Sequence, residues 1–212
     1  MEALDTIFTR RPELAACRPA AQAAAKLLRQ CFGHGGKLLV CGNGGSAADS
    51  EHIVGELMKG FCQPRPVPSD IRRKLVAAWP EDGLALAAQL QGALPAISLV
   101  SQSALLTAFA NDVSPDLIFA QQVYGYGRPG DVLWAISTSG NSKNVIQAAR
   151  VGRALGLGVL GFTGPEGGAL ASLCDVVLCV PGADCAEIQE GHQVLYHALC
   201  AQLEAVFFRV AG

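Results

Sequence analysis

The chain has 212 residues, of which 50% are apolar and only 16% charged, and its formal net charge is −2. That length supports one sizeable core without disulfides or a structural metal, so we expect a single domain over residues 1–212. The charge balance, with no dense run of Lys and Arg, argues against nucleic acid as a partner, and no apolar stretch has the length of a membrane span.

The low charged fraction and the cysteines bear on assembly and compartment. So few charges leave little polar cover for a monomer, which favours burial of surface between subunits and predicts a homo-oligomer. The eight cysteines form no C-x-x-C pair, and several lie in apolar runs, as small buried hydrophobic residues do. Residues 1–19 are charged and lack the apolar core of a signal peptide, so we expect a cytoplasmic location.

In chain order, five short apolar runs have the character of buried parallel strands. They cover residues 37–41, 95–100, 131–136, 158–162 and 176–180. Segments with helical spacing lie between them, the clearest at 13–32, 46–60, 142–155 and 187–210. This alternation predicts an α/β fold, a doubly wound three-layer α-β-α sandwich with a five-stranded parallel sheet. Ligands of such a fold bind beyond the carboxyl ends of the strands.

Residues 64–94 interrupt the alternation. Three prolines break the chain, and two short amphipathic stretches follow, split at Pro80. We expect a helical insertion, a hairpin that packs on the domain or on a neighbouring subunit. The alternative is a lid over the site.

Two Gly/Ser-rich loops, residues 41–46 and 137–142, follow the first and third predicted strands. A buried phosphate dianion needs many short hydrogen-bond donors and little bulk, because each unpaired oxygen costs desolvation energy. The glycines of the first loop let backbone N–H groups approach a ligand, and Ser46 opens a helix whose N-terminus is itself an anion site. The second loop offers four hydroxyls in six residues, on Ser137, Thr138, Ser139 and Ser142.

Each loop alone could be an ordinary strand-to-helix turn with a serine N-cap. Two such loops, both after strands, make that interpretation the weaker one and predict a phosphate site. No lysine follows the glycines, and Gly42, Gly44 and Gly45 do not fit G-x-G-x-x-G, which disfavours a nucleotide. A phosphate monoester on a small sugar suits the hydroxyl-rich loops better.

Polar residues that could carry chemistry lie on the helix after the first loop and on the last helix. His52 and Glu56 are four residues apart, so they share a helix face and could bind one metal ion or one substrate; an exposed, solvated face is the alternative. Gln189 and His197 are eight residues apart, about 12 Å of helix rise. Both therefore reach one ion only if Gln189 lies at or before the helix start, or if one of them comes from another subunit. His192 and Gln193, on the same helix, are alternative ligands. The other interpretation is that they lie at the rim of a subunit interface.

These motifs together resemble the sugar isomerase (SIS) domain family, and within it the sedoheptulose 7-phosphate isomerases, also called phosphoheptose isomerases. The matching stretches follow the family's order over most of the chain: Cys-Gly-Asn-Gly-Gly-Ser at 41–46, His52 with Glu56, Ala-Asn-Asp at 110–112, Gly-Asp-Val-Leu at 130–133, Ile-Ser-Thr-Ser-Gly-Asn-Ser at 136–142, Thr-Gly at 163–164 with Gly-Gly at 167–168, and Ile-Gln-Glu at 188–190 with His197. The run at 136–142 is specific to the superfamily. The combination specific to the isomerase is His52, Glu56, Gln189 and His197.

The resemblance implies a set of site residues. The two loops would bind the substrate phosphate through Asn43, Gly44, Ser46, Ser137, Thr138, Ser139 and Ser142. A Zn²⁺ ion would be held by His52, Glu56, Gln189 and His197, with Gln189 also at the substrate. Glu56 and His197 would be the catalytic proton carriers, and Asp112 would contact the sugar. Family members are homotetramers with active sites at subunit interfaces, an arrangement that would resolve the reach between Gln189 and His197.

The sequence departs from the family pattern in two places. An aspartate expected three residues before the glutamine is Ala186 here, and Asp184 lies close but out of register. The segment 64–94 is longer than the short link expected at that point.

The activity that the resemblance implies is isomerisation of D-sedoheptulose 7-phosphate to a D-glycero-D-manno-heptose 7-phosphate through a metal-assisted enediol. Glu56 would move a proton between C1 and C2, and His197 would shuttle a proton between their oxygens. One alternative is a non-catalytic SIS adaptor, similar to the replication-initiation factor that binds the initiator protein. Another, a sugar-phosphate sensor or an etherase, would need a second SIS module or a regulatory domain, for which we expect no room in 212 residues.

Overall fold

The sheet is parallel and five-stranded, as the alternation predicts. The computed structural model describes residues 3–208, apart from the side chains at positions 3 and 5. Its strands are β1 (Leu38–Cys41), β2 (Ala96–Ser98), β3 (Val132–Ser137), β4 (Gly158–Thr163) and β5 (Val176–Cys179). They are ordered β2-β1-β3-β4-β5, and Leu39 of β1 pairs with Ile97 on one side and with Leu133 on the other. The two strands that precede the Gly/Ser-rich loops, β1 and β3, are therefore neighbours in the sheet.

Helices connect the strands. In chain order they are α1 (Ala3–Arg10), α2 (Arg18–Gly33), α3 (Gly45–Met58), α4 (Ser69–Ala78), α5 (Gly83–Gln89), α6 (Ser103–Asp112), α7 (Ile118–Tyr126), α8 (Lys143–Ala154), α9 (Gly168–Ala171) and α10 (Cys185–Phe207), with short 3₁₀ helices at Pro12–Cys17 and Pro115–Leu117. The predicted helix over 13–32 is divided in two, because Pro19 has no N–H to donate and lies in the first turn of α2. The predicted end of the last helix, at 210, lies outside the described residues. Between residues 3 and 208, none of the helices has the length and hydropathy needed to cross a bilayer.

Two layers of helices enclose the sheet, each with its own core. Successive side chains of β1 point to opposite faces, so Leu38 and Val40 join one core, and Leu39 and Cys41 join the other. The first core also contains buried residues of α1, α2, α3 and α10. The second contains buried residues of α7, α8 and α9. This is the expected doubly wound sandwich, and it places α3 and α10 in contact on the same face of the sheet.

Residues 64–94 contain the predicted helical hairpin, formed by α4 and α5. An antiparallel bridge between Pro66 and Gln91 closes its base. At the turn, a Cβ on Gly83 would lie only 2.3 Å from the carbonyl oxygen of Leu75, so the two helices meet closely there. No residue of α4 is buried, and α5 buries only Gly83 and Ala87. The large apolar side chains that remain exposed on the hairpin are Ile71, Val76, Trp79, Leu84, Leu86 and Leu90. The hairpin therefore does not bury most of its large apolar side chains against this chain.

Candidate active site

A cavity of about 310 Å³ lies where β1 and β3 end. Its walls come from both Gly/Ser-rich loops and from the start of α10. The lining residues are Asn43, Gly44, Gly45, Ser46, Ile136, Ser137, Thr138, Ser142, Cys185 and Gln189. The two loops singled out in the sequence thus face one shared space.

The first loop presents backbone donors to this cavity. Gly44 has a φ of 54°, a left-handed conformation that favours glycine, and α3 begins at the next residue. No side chain among the described residues caps the N-terminus of α3, so its first N–H groups and the positive end of its dipole are available to an anion. A Cβ on Gly42 would lie 2.6 Å from the carbonyl oxygen of Ser46, which explains why this tight turn needs glycine. The donors that this loop offers to an anion are thus on the backbone more than on side chains.

An amide pair joins the first loop to the start of α8, the helix that follows the second loop. Asn43 Nδ2 donates to Asn144 Oδ1, and Asn144 Nδ2 donates to Asn43 Oδ1, each over 2.9 Å. The side chain of Asn43, a predicted phosphate ligand, is therefore engaged with the first turn of α8, which leaves its backbone to face the cavity. Asn144 is not among the residues predicted from the sequence, although its place in the first turn after the second loop is a local signal that it could hold the two segments together.

The hydroxyls of the second loop divide into two groups. Ser137 and Ser142 line the cavity, and their Oγ atoms lie 2.9 Å apart, within hydrogen-bond distance. Thr138 also lines it, with its Oγ1 3.4 Å from Cys185 Sγ. Ser139 is exposed, accepts a hydrogen bond from Asn141 N and is not among the lining residues. Ser139 therefore shapes the turn in this structure and does not face the cavity as predicted.

A second polar group lies further along α3 and α10. His52 Nε2 is 3.2 Å from Glu56 Oε1 and 3.5 Å from His197 Nε2. Glu56 is buried, and its Oε2 has no hydrogen-bond partner within the described residues, whereas the His52 side chain is 41% exposed. Burial is the main cause that lowers the pKa of His197, and the neighbouring His52 lowers it further. Glu56 acts in the opposite direction, but the net shift is downward. His197 is therefore largely neutral at neutral pH, so its ring can both accept and donate a proton.

Two residues behind His52 complete this group. Tyr196 Oη donates to Asp49 Oδ1 over 3.2 Å and lies 2.9 Å from His52 Nδ1. Burial, chiefly, and the charge of Asp49 raise the pKa of the Tyr196 phenol, so it keeps its proton. Asp49 precedes His52 by three residues on the same helix face, a spacing from which the sequence could have revealed it. Tyr196 gave no local signal.

The four predicted zinc ligands are not all brought together. Gln189 lies within α10, not before it, and its amide packs on Gly45, where a Cβ would come 2.5 Å from Gln189 Nε2. Gln189 lines the cavity between the two loops, two helical turns before His197. Among residues 3–208, no group of three or more His, Cys, Asp or Glu side chains is arranged to hold a metal ion. The 3.2 and 3.5 Å separations of His52, Glu56 and His197 do suit neighbouring ligands of one zinc ion, so the fit is partial.

Asp112, Asp184 and His192 are not among the residues that line the cavity. Asp112 is exposed at the end of α6, where Asn111 Nδ2 donates to its Oδ1. Asp184 caps α10 by accepting a hydrogen bond from Glu187 N, so it does not replace the missing aspartate at position 186. His192, an alternative ligand, is fully buried with its Nε2 3.1 Å from Thr163 O, and burial lowers its pKa to about 4. His192 is a core residue here.

A buried ion pair fixes the end of α3. Arg65 Nε donates to Glu204 Oε1 over 2.7 Å, and both side chains are at most 1% exposed. The guanidinium also donates to the carbonyl oxygens of Leu57 and Glu56, and Glu204 accepts from the N–H of Phe61. Because the Phe61 ring stacks on His197 at 5.6 Å, this pair supports both Glu56 and His197.

Comparison with known proteins gives the class. A family model described as the SIS domain matches residues 14–74 and 83–164. The phosphoheptose isomerase of Thiobacillus denitrificans is 40% identical over 198 residues, which cover 92% of this chain and 87% of that protein. That of Roseiflexus sp. is 38% identical over 203 residues, which cover 96% of this chain and 90% of that protein.

Comparison with solved structures gives the same class. The phosphoheptose isomerase of Francisella tularensis has a TM-score of 0.72 and 31% identity, covering 96% of this chain and 98% of that one. That of Neisseria gonorrhoeae has a TM-score of 0.68 and 33% identity, covering 92% of this chain and 96% of that one. NanR of Vibrio vulnificus, at 15% identity and a TM-score of 0.56, covering 97% of this chain and 61% of that one, shares the fold alone. Fold and site thus define a SIS domain protein. Within that class the chain belongs to the phosphoheptose isomerase family, and it is an isomerase.

Proposed function

We propose that this enzyme converts D-sedoheptulose 7-phosphate to a D-glycero-D-manno-heptose 7-phosphate through an enediol. One observation carries the proposal: the phosphate cavity and the His52–Glu56–His197 group lie along the same two helices, α3 and α10. From Ser46 to His52 the helix rises by about 9 Å, a span that an extended sugar phosphate can cover. A phosphate held at the loops would therefore present the far end of the sugar to a carboxylate and an imidazole.

Phosphate binding and the two proton transfers are assigned to different residues. The backbone of the first loop, with Ser137, Thr138 and Ser142, binds the phosphate and fixes the sugar chain. Glu56 takes the proton from one carbon and returns it to the neighbouring carbon. The free base is its Oε2, which accepts no hydrogen bond from the described residues and lies 3.8 Å from Lys59 Nζ. His197, held neutral, gives a proton to one substrate oxygen and removes one from the other.

A zinc ion is a separate part of the proposal. His52, Glu56 and His197 would supply ligands to it, although the described residues do not form a complete metal site. Gln189 is too far along α10 to join them from the same chain. When bound, the ion would polarise the substrate carbonyl. The proton transfers assigned to Glu56 and His197 stand without it.

We also propose that the enzyme works as a homo-oligomer, with a tetramer as the expected form. The exposed apolar side chains of the α4–α5 hairpin support burial between subunits. A second copy could also supply the sugar contacts that Asp112 and Ala186 do not make within one chain. Light scattering of the purified protein tests the assembly.

The decisive experiment is an NMR assay of sedoheptulose 7-phosphate turnover, run with and without chelator beside metal analysis of the purified protein. Glu56→Gln should lower kcat by about 100-fold or more, because general base catalysis contributes that much, while the affinity for inorganic phosphate stays unchanged. Glu51→Gln, an exposed carboxylate on the same helix that accepts from Ser101, is the matched control and should keep full activity. Full turnover by Glu56→Gln would refute the assignment, and phosphate binding without turnover by the wild type would indicate an adaptor or sensor.

A further inference from the structure

Tyr196 is completely buried at the centre of the second polar group. It projects from α10 between two residues of α3, with its Oη 3.2 Å from Asp49 Oδ1 and 2.9 Å from His52 Nδ1. Its ring also contacts the rings of His52 and His197, with centroids 5.6 and 4.7 Å apart. A phenylalanine could make those ring contacts, so the hydroxyl calls for its own explanation.

A count of protons settles the direction of these hydrogen bonds. A phenol has one proton to donate, and an ionised carboxylate can only accept. Asp49 Oδ2 is buried without a hydrogen-bond partner in the described structure, so Oδ1 depends on the Tyr196 proton. Withdrawing that donor would leave both oxygens of a half-buried carboxylate unpaired, at a large desolvation cost. Tyr196 Oη therefore donates to Asp49 and accepts from His52 Nδ1, and the Gln193 side chain is a further hydrogen-bond partner of the phenol.

This direction fixes the tautomer of His52. If Nδ1 carries the proton and donates it to Tyr196 Oη, Nε2 carries a lone pair. That lone pair faces Glu56 Oε1 and His197 Nε2 at 3.2 and 3.5 Å. Because the carboxylate oxygen is also an acceptor, this arrangement needs a cation or a second proton between Nε2 and Glu56. The ring thus presents an acceptor to the space where the proposed chemistry occurs, and the same orientation suits a cation bound there.

We infer that Tyr196 is a positioning residue that holds His52 in the Nδ1–H tautomer through the Asp49–Tyr196–His52 chain of hydrogen bonds. It acts on the reaction only through His52. Its kinetic consequence rests on the proposed isomerase function, whereas its effect on the tautomer does not.

The first test is NMR of the full-length wild-type protein labelled with ¹⁵N-histidine. The chain has four histidines, so His52 can be assigned by single replacement. The expected spectrum shows His52 protonated on Nδ1, whether or not Nε2 holds a metal. A neutral His52 protonated on Nε2 in the wild type would overturn the inference.

The second test is Tyr196→Phe, which keeps the ring and removes the hydroxyl. His52 should then lose its fixed tautomer, and kcat should fall by about 10- to 100-fold, as when the partner of an oriented histidine is removed, with KM changed by less than about twofold. Tyr124→Phe, at a tyrosine that is 66% exposed, is the control and should change neither the His52 spectrum nor kcat. An unchanged His52 spectrum in Tyr196→Phe overturns the inference. A wild type that shows the Nδ1–H tautomer but no turnover overturns the proposed function alone.

Discussion

Replacing Arg65 by Met is expected to be one of the most damaging single changes outside the polar groups themselves. Arg65 is 1% exposed and donates to Glu204 Oε1, Leu57 O and Glu56 O over 2.7 to 2.9 Å. Methionine fills similar space but donates nothing. The change therefore leaves a buried carboxylate without its cation and two carbonyl oxygens at the end of α3 without these donors.

The magnitude follows from these losses. Breaking a buried ion pair from one side costs about 3–5 kcal/mol, and each orphaned buried acceptor adds about 1 kcal/mol or more. Glu204 keeps the N–H groups of Phe61 and Cys62, which offsets part of the cost. Burial acts to raise the pKa of Glu204, but these hydrogen bonds and Arg65 outweigh it and hold the pKa below its usual value. We expect a loss of about 4 kcal/mol in the free energy of unfolding, or a Tm lower by about 8–16 °C for a domain of this size.

Urea denaturation of four proteins measures this: wild type, Arg65→Met, Glu204→Gln and the double variant. The glutamine introduced by Glu204→Gln would keep an oxygen for the two backbone N–H groups, so the double variant should recover about 1 kcal/mol or more relative to additivity. Lys74→Met is the control, because its pair with Asp70 is exposed and spans 3.8 Å, and it should change stability by less than about 0.5 kcal/mol. A loss below about 1 kcal/mol for Arg65→Met would refute the reasoning.

Three further predictions concern separate parts of the structure. Asn144→Ala removes both hydrogen bonds to Asn43 and should weaken the binding of inorganic phosphate, measured by calorimetry, about 3- to 10-fold; unchanged affinity would show that the loops do not need this link. His192 has a pKa of about 4 in the fold and about 6.5 when unfolded, so the unfolded state binds the extra proton as pH falls. About 3 kcal/mol of stability should therefore be present above pH 6.5 and be lost progressively towards pH 4, and His192→Gln, which can still donate to Thr163 O, should flatten that part of a urea-midpoint profile. Alkylation of Cys185, followed by mass spectrometry, should slow when phosphate fills the cavity, while the other exposed cysteines react at unchanged rates; equal rates with and without phosphate would place the anion elsewhere.

Local sequence determined the architecture and the phosphate loops. Buried parallel strands are continuous apolar runs, and a loop that must turn sharply and approach an anion needs glycine, so both leave a pattern within a few residues. All five strands and the hairpin at 64–94 were predictable in this way. The boundaries were less so, since the division of the first predicted helix depended on how Pro19 is placed.

Only the tertiary structure decided how distant segments meet. Asn43 meets Asn144, Tyr196 meets Asp49, and these pairs are separated by 101 and 147 residues along the chain. His192 and His197 lie on one helix five residues apart, yet the first is buried in the core and the second lies beside His52. Spacing gives the face of a helix but not what packs against it, and burial, proton position and the separation of Gln189 from His197 all depend on that packing.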